Sequence, residues 1–251
     1  TSMNPFGAAR AHLEAEASKL AYDARNRFIA DPDHVTRLDH MMAPATAERL
    51  AGLIRPDAVL PPGLAEAGAV HRDTILITAV DRDRMAVSLI FSVFSNFGSG
   101  VASETFGIVL HNRAAGFTLQ EGHPNEAGPG KRPMHTIIPA LMRKDGATVM
   151  PFGVMGGQYQ ATGHARLVTN MVDFGLSPQA AIDAPRCFAE GGPLTVERGY
   201  SPSVQAELAA LGHDVQEREV PLGGAQAIVI RPDGALEGAS DPRKDGCALG
   251  Y

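Results

Sequence analysis

The spacing of apolar residues changes character near residue 74. Before it, Leu13, Ala17, Leu20 and Ala21 recur at helical intervals and predict a helix over Ala11–Tyr22. Asp31-Pro32 stops that helix, because proline cannot continue one and disfavours helix in the residue before it. A second short helix is predicted over Ala45–Ile54. From Arg55 to Gly68 the composition shifts to Pro, Gly and Ala, as in Pro61-Pro62-Gly63, and reads as a mobile linker.

Beyond that point the runs become extended. Thr74–Val80 is rich in β-branched residues, the polar turn Asp81-Arg82-Asp83-Arg84 follows, and Met85–Phe91 forms a second run; a buried hairpin is predicted. Neither run alternates cleanly with polar residues, which is the mark of strands covered on both faces. Further strands are predicted at Gly107–His111, Ala147–Gly153, Leu194–Glu197, Asp214–Glu219, Gln226–Ile230 and Ala235–Ala239. Lys144-Asp145-Gly146 and Pro232-Asp233-Gly234 are the turns between strand pairs. Helices are predicted over Gln158–Phe174, Ser177–Ala184 and Pro202–Leu211, with Ser177 and Ser201 as N-caps and Gly212 at a C-terminal cap. Strand pairs in a run, broken by few helices, predict an α+β fold with layered sheets rather than a doubly wound one.

Composition narrows the function classes. A chain of 251 residues, 44% of them hydrophobic, can bury a sizeable core, which excludes a disordered or fibrous protein. There are 28 acids against 22 bases, and no basic cluster exceeds Gly130-Lys131-Arg132. Neither nucleic acid nor an anionic membrane is therefore expected as a partner. No apolar run approaches the roughly 20 residues that cross a bilayer, and no signal-peptide pattern opens the chain. A cytoplasmic location is expected ahead of a periplasmic one, although the chain reads as starting inside a longer protein. Cys187 and Cys247 cannot build a disulfide framework, and two free thiols are expected.

Most catalytic patterns are missing. The nine histidines look scattered, with no His-x-x-x-His or Cys/His cluster, so neither metal nor cofactor is expected. Phe97-Gly98-Ser99-Gly100 opens no helix and is not a dinucleotide fingerprint, and a Gly-x-Ser-x-Gly elbow is absent. What remains is Thr74, which opens a strand directly after the linker. By local pattern it is an ordinary strand residue. Cleavage between Asp73 and Thr74 gives a second reading. Thr74 then gains an α-amino group with a pKa of about 8. That amine lies beside the residue's own hydroxyl and can take its proton, so one residue holds nucleophile and base.

A series of segments in order then carries a resemblance. They are Glu16–Tyr22, Asp31-Pro32, Thr74 with Ala79-Val80-Asp81, Asn96–Gly100, Gly128–Pro133, Met155-Gly156-Gly157, Ala184-Pro185-Arg186, Gly238–Arg243 and Gly250-Tyr251. From Ala11 to Tyr251 the chain resembles the C-terminal half of the gamma-glutamyltransferase family of N-terminal nucleophile hydrolases. The resemblance implies a four-layer αββα fold. It also implies that residues 1–73 are the helical tail and linker of a large subunit and 74–251 a complete small, catalytic subunit. Asp73-Thr74 becomes the autocleavage site and Thr74 the nucleophile. Gly156 and Gly157 align with the pair whose amides form the oxyanion hole; glycines suit that work because the backbone can approach the substrate and adopt positive φ. Locally the same pair also reads as an ordinary turn after a strand. Ser92 aligns with a hydroxyl residue beside the nucleophile, and equally fits a strand serine bonded to backbone.

Departures from the family pattern bear on substrate. Where gamma-glutamyl enzymes carry Asn-Gln-x-x-Asp-Phe, this chain has Asn112-Arg113-Ala114-Ala115-Gly116-Phe117. The acid that holds a substrate ammonium is replaced by Gly116, and the glutamine by Arg113. Phe94 replaces an asparagine that holds the glutamate, and His135 and Thr136 replace paired serines that bind its carboxylate. This set resembles the oxamate amidohydrolase branch. It implies an amide hydrolase that works through an acyl-enzyme on a small carboxylate-bearing amide, with Arg113 as the carboxylate's partner. Arg113 as a structural salt-bridge partner stays open. A gamma-glutamyltransferase or glutathione hydrolase, and a silent binding relic of the fold, are the alternatives. The expected partners are the rest of the large subunit, the amide and water as acyl acceptor; self-association is left open.

Overall fold

The computed structural model describes residues 3–61, 73–189 and 192–251. Helix α1 spans Ala8–Phe28, longer at both ends than its apolar spacing predicts. Ala8, Ala11 and Ala15 have little side chain to hold the helix off, and they pack it closely against Cys187, Leu194, Val196, Tyr200 and Leu208. The region before residue 74 thus shares a core with the region after it. Helices α2 (Leu38–Met42) and α3 (Pro44–Ala51) follow, the first of them unpredicted. The segment that follows departs from the expected mobile linker. The Val59 N–H donates to the Leu211 carbonyl at 3.3 Å, and the Leu60 N–H donates to the Glu16 carboxylate. The rest of that expected linker, 62–68, lies outside the described residues.

Strands β1 (Asp73–Val80) and β2 (Ala86–Phe94) form the predicted antiparallel hairpin, but it is not covered on both faces as expected. Ile77 and Phe91 on its outer face are about half exposed, because among the described residues only the inner face meets another sheet. β3 (Ala102–Ser103) pairs with β4 (Ile108–Val109), all that forms of the strand predicted at Gly107–His111. β5 (Pro139–Lys144) and β6 (Ala147–Met155) are joined through Asp145 and Gly146, both at positive φ, as a tight hairpin turn requires. With β10 (Gly224–Ile230) and β11 (Leu236–Ser240) they make an antiparallel sheet in the order β11-β10-β6-β5.

Helices α4 (Gln160–Val172) and α5 (Pro178–Asp183) cover one face of this sheet. The hairpin covers the other, and β6 shows the division by its period of two. Met150, Phe152 and Val154 join the helix-side core, while Leu76 of the hairpin lies on Gly153 and packs with Met155 and Ile90. A smaller sheet holds β7 (Cys187–Phe188), β8 (Leu194–Val196) and β9 (Val215–Glu217), with α6 (Pro202–Ala210) connecting the parallel pair β8 and β9. Ser177 and Ser201 cap α5 and α6 as predicted. Helices, sheet and hairpin stack as α, β and β layers, the expected α+β class.

Two of the segments that carry the family resemblance serve the fold. Arg186 is bonded to Asp241 in the interior, and Arg243 holds Glu197 at 2.8 Å and donates to the Ile182 and Ala184 carbonyls, so the segment after β11 is tied to the α5–β7 turn and to the end of β8. Cys187 is buried, Cys247 exposed, and both are free thiols, as expected. No helix among the described residues is long and apolar enough to cross a membrane.

Candidate active site

Thr74 sits where the β1–β2 ladder slips. Asp73 pairs with Phe94 and Ile75 with Phe91, so Ser92 and Val93 together oppose Thr74. A bulge of this kind re-aims side chains locally. Thr74 and Ser92, both half-buried, are neighbours across this slip in the ladder. The Ser92 hydroxyl accepts the Phe94 N–H at 2.9 Å. Asp73 and Thr74 are consecutive residues of β1, so the Thr74 nitrogen is a peptide nitrogen until that bond is cut.

The hairpin's packing fixes which end of β6 Thr74 approaches. Ser88, opposite Thr78, donates its hydroxyl to the Phe152 carbonyl at 2.8 Å. Leu76 lies on Gly153 and packs with Met155. Moving from Thr78 to Leu76 therefore advances along β6 towards its end, and Thr74 lies one step further that way. There the chain leaves β6 through Gly156 and Gly157, with φ of 125° and 56°, into a 3-10 turn, Gly157–Tyr159, that leads into α4. A Cβ on Gly156 would lie 2.7 Å from the Gly223 Cα, so both conformation and space require glycine. N–H groups at such a helical start have no partner within the helix and favour negative charge.

Arg113 lies in the interior at the start of a 3-10 turn, Arg113–Gly116. Its guanidinium stacks 5.1 Å from the Phe94 ring. Phe94 itself has a φ of 84°, a strained conformation for a bulky residue. Asn112 fixes the approach: its N–H donates to the Val93 carbonyl and its Oδ1 accepts the Ser95 N–H. Burial pulls the Arg113 pKa down, and its Nη1 has no hydrogen-bond partner among the described residues. No carboxylate pairs with Arg113 among the described residues, so the structural salt bridge that sequence left open does not form there. His135 sits at the exposed rim; burial of its ring, then the charge of Arg113 and His111, lowers its pKa. Thr136 beside it is buried. The Asn125 amide donates to the Gly116 carbonyl and accepts the Met134 N–H, which holds the Arg113 turn against the His135–Thr136 segment.

The residues expected at the site therefore fall into two connected groups. Thr74, Ser92 and Phe94 lie along the bulge, and Phe94 leads to Arg113, His135 and Thr136; Gly156 and Gly157 lie at the same end of the packed layers. Sequence reading missed the supports. Tyr22 and Arg25 of α1 both donate to Gln158, in the turn that follows the glycine pair. Asn112 and Asn125 brace the arginine turn. Asn112 carried a signal as the first residue of the departing segment, and Tyr22 as the last residue of the matching Glu16–Tyr22 segment, but neither showed its role.

The histidines are less scattered than the sequence suggests. His12, Glu16 and His213 form one buried group with ligand atoms within 4.8 Å of one another. His12 Nδ1 is 2.8 Å from His213 Nε2, and His12 Nε2 is 2.7 Å from the Arg55 carbonyl. Glu16 accepts from Lys19 and from the Leu60 N–H. The ligand atoms that face one another are already engaged, and the Lys19 ammonium sits 2.6 Å from Glu16 where a cation would compete. The arrangement is a hydrogen-bonded clamp on residues 55–60.

The family model for gamma-glutamyltranspeptidase matches residues 1–251. The chain is 37% identical over 250 residues to an oxamate amidohydrolase proenzyme of Klebsiella pneumoniae, covering 96% of this chain and 47% of that protein. It is 34% identical over 266 residues to a glutathione hydrolase proenzyme of Escherichia coli, covering 98% and 46%. A crystal structure of cephalosporin acylase from Bacillus halodurans superposes with a TM-score of 0.85 at 33% identity, over 96% of this chain and 45% of that one. The chain thus spans about half the length of the relatives it matches.

Proposed function

The chain belongs to the gamma-glutamyltranspeptidase family, and from that premise we propose that it carries the catalytic end of a self-processing N-terminal threonine amide hydrolase. Its substrate is a short amide bearing a carboxylate. The Thr74 hydroxyl first attacks the Asp73 carbonyl carbon. A C–O bond forms as the C–N bond to Thr74 breaks, which leaves an ester and a free amine, and water hydrolyses the ester to an Asp73 carboxylate. In the processed protein that amine takes the hydroxyl proton while Oγ1 attacks the substrate amide. The amide C–N bond breaks, ammonia or an amine leaves with the proton, and a second water hydrolyses the acyl-enzyme. The Gly156 and Gly157 amides receive the charge that develops on the carbonyl oxygen. Ser92 orients Thr74 across the bulge. The names of the matched proteins, all proenzymes among the curated relatives given above, support processing.

The observation that carries the substrate class is the buried Arg113 guanidinium with its partnerless Nη1. Leaving such a donor unpaired costs about 1–3 kcal/mol, and a carboxylate answers it with a charge-assisted, bidentate bond. Phe94 walls the site and His135 and Thr136 rim it. At Gly116 there is no acid to hold a substrate ammonium. In the full-length protein, oxamate-like amides are expected to be turned over faster than glutathione. Arg113→Ala should raise the Michaelis constant for the anionic amide by about 10- to 100-fold and leave a neutral amide unchanged. Faster turnover of glutathione than of every anionic amide, or equal damage to both substrates, sinks this substrate class.

A further inference from the structure

Behind the Gly157–Tyr159 turn lies a small cavity of about 10 Å³, room for one small occupant. Val154, Gly163, Ala181 and Ala225 form its apolar walls, and Tyr159, Arg166 and Arg186 bring the polar groups. The Tyr159 hydroxyl and the Nε and Nη2 of Arg166 are all buried and have no hydrogen-bond partner among the described residues. Gly163 keeps the space: a Cβ there would lie 2.7 Å from the Tyr159 ring. Arg186 is not short of partners, since it bonds Asp241 and the Leu222 and Ile182 carbonyls.

Charge arithmetic says what is missing. Two interior guanidiniums, Arg10 and Arg166, share the single carboxylate of Glu14. Arg10 is otherwise satisfied by Asn170 at 2.7 Å, by Thr169 at 2.9 Å and by the Phe174 ring. The other groups that face Arg166 are Tyr200, Cys187 and Tyr159. Burial pushes the Cys187 thiol up to about 11 and both phenols upward as well, so all three stay neutral. One positive charge is left over, and it belongs to the arginine with unpaired donors. Water would take the two N–H groups but leave the charge.

We propose that this cavity binds a single monovalent anion of halide size, held by the Nε–H and Nη2–H of Arg166 and the hydroxyl of Tyr159. The anion accepts all three donors and balances the charge, which an uncompensated interior guanidinium needs. Because Tyr159 closes the turn that begins at Gly157, the bound anion fixes the back of that turn.

The test uses full-length protein. Crystals grown without halide and soaked in bromide should show an anomalous peak in the cavity, lost in Arg166→Gln. In solution, the melting temperature should rise by a few degrees with bromide or chloride against gluconate at equal ionic strength, since gluconate is too large to enter. Tyr159→Phe, which keeps the ring, should weaken the apparent halide affinity about tenfold, and this variant serves if Arg166→Gln does not fold. Water density with no anomalous peak after soaking, a peak that survives Arg166→Gln, or a melting temperature indifferent to halide overturns the assignment.

Discussion

Strands β6 and β1 are both built from nearly unbroken apolar residues, but they live in different surroundings. β6 is closed on both sides: Met150, Phe152 and Val154 meet the helices, and Gly153 and Met155 meet the hairpin. The β1–β2 hairpin is closed on one side only. Leu76 and Ile90 point at the sheet and are 5% and 8% exposed, whereas Ile77 and Phe91, on the opposite face, are 48% and 49% exposed. Ile75, Val87 and Leu89 share that open face. A contiguous apolar patch of this kind is uncommon on a monomer's surface and marks a face that something covers. The proposed nucleophile is thus assigned to the open strand and the proposed oxyanion glycines to the closed one, at the end where the two strands meet.

The strongest way to break that division is Thr74→Ala. If β1 carries reactivity and little stability, the variant should lose chain cleavage on gel electrophoresis. It should also lose amide turnover by on the order of 10³-fold or more. Compared uncut with uncut, its unfolding free energy should stay within about 0.5 kcal/mol of the parent chain, because a change at a half-buried position is small. Normal cleavage in the alanine variant would mean that the nucleophile lies elsewhere. The closed side should give the mirror result. Ile182 is fully buried in α5. Ile182→Ala is expected to cost about 2–5 kcal/mol in urea denaturation, while chain cleavage proceeds at permissive temperature.

How far this division could be read beforehand depends on the range of the interactions. Local rules located the β1–β2 hairpin, the Asp145-Gly146 turn and the Ser177 and Ser201 caps, because each depends on neighbours in sequence. β5 escaped because it begins at Pro139 and ends in Arg143-Lys144, residues depleted in strands; it forms as an edge strand paired with β6. The open face of the hairpin escaped too, since an apolar run reads the same whether or not its cover is present. At the site, the family resemblance pointed to Thr74, Ser92, Arg113 and the glycine pair; local pattern alone singled out Thr74 and left it readable as an ordinary strand residue. The left-handed Phe94, the hold of Tyr22 on Gln158 and the pairing of His12 with His213 were illegible. The last two link residues far apart in the chain.

That histidine clamp gives the next test of the closed side. Burial, then the charge of Lys19, pulls His213 down to about 4 from 6.5. The folded chain keeps it neutral while the unfolded chain takes up a proton below about pH 6.5. Its contribution is therefore fully present above pH 6.5 and is lost as the pH falls from there towards 4, by at most about 3 kcal/mol. Urea midpoints between pH 7.5 and about 4.5 should fall for the parent and fall less for His213→Asn. Parallel curves for the two proteins would remove His213 from the account.

The smallest effect is the sharpest test of the open face. Ile77→Val removes one methylene and adds no polar group. Such a change costs about 0.5–1.5 kcal/mol where the side chain is enclosed and close to nothing where it faces water. Within residues 1–251 Ile77 is about half exposed, so the chain by itself predicts almost no cost. If the rest of the protein lays a further layer over Ile75, Ile77, Leu89 and Phe91, the full-length protein should pay the enclosed value. Met85, exposed at the turn of the same hairpin, supplies the control: Met85→Ala should stay within about 0.5 kcal/mol. A cost at Ile77 without one at Met85 means the hairpin is as closed as β6 once the protein is whole. Equal, negligible costs mean that the apolar face stays open, and the difference between the two strands is then a property of the whole protein.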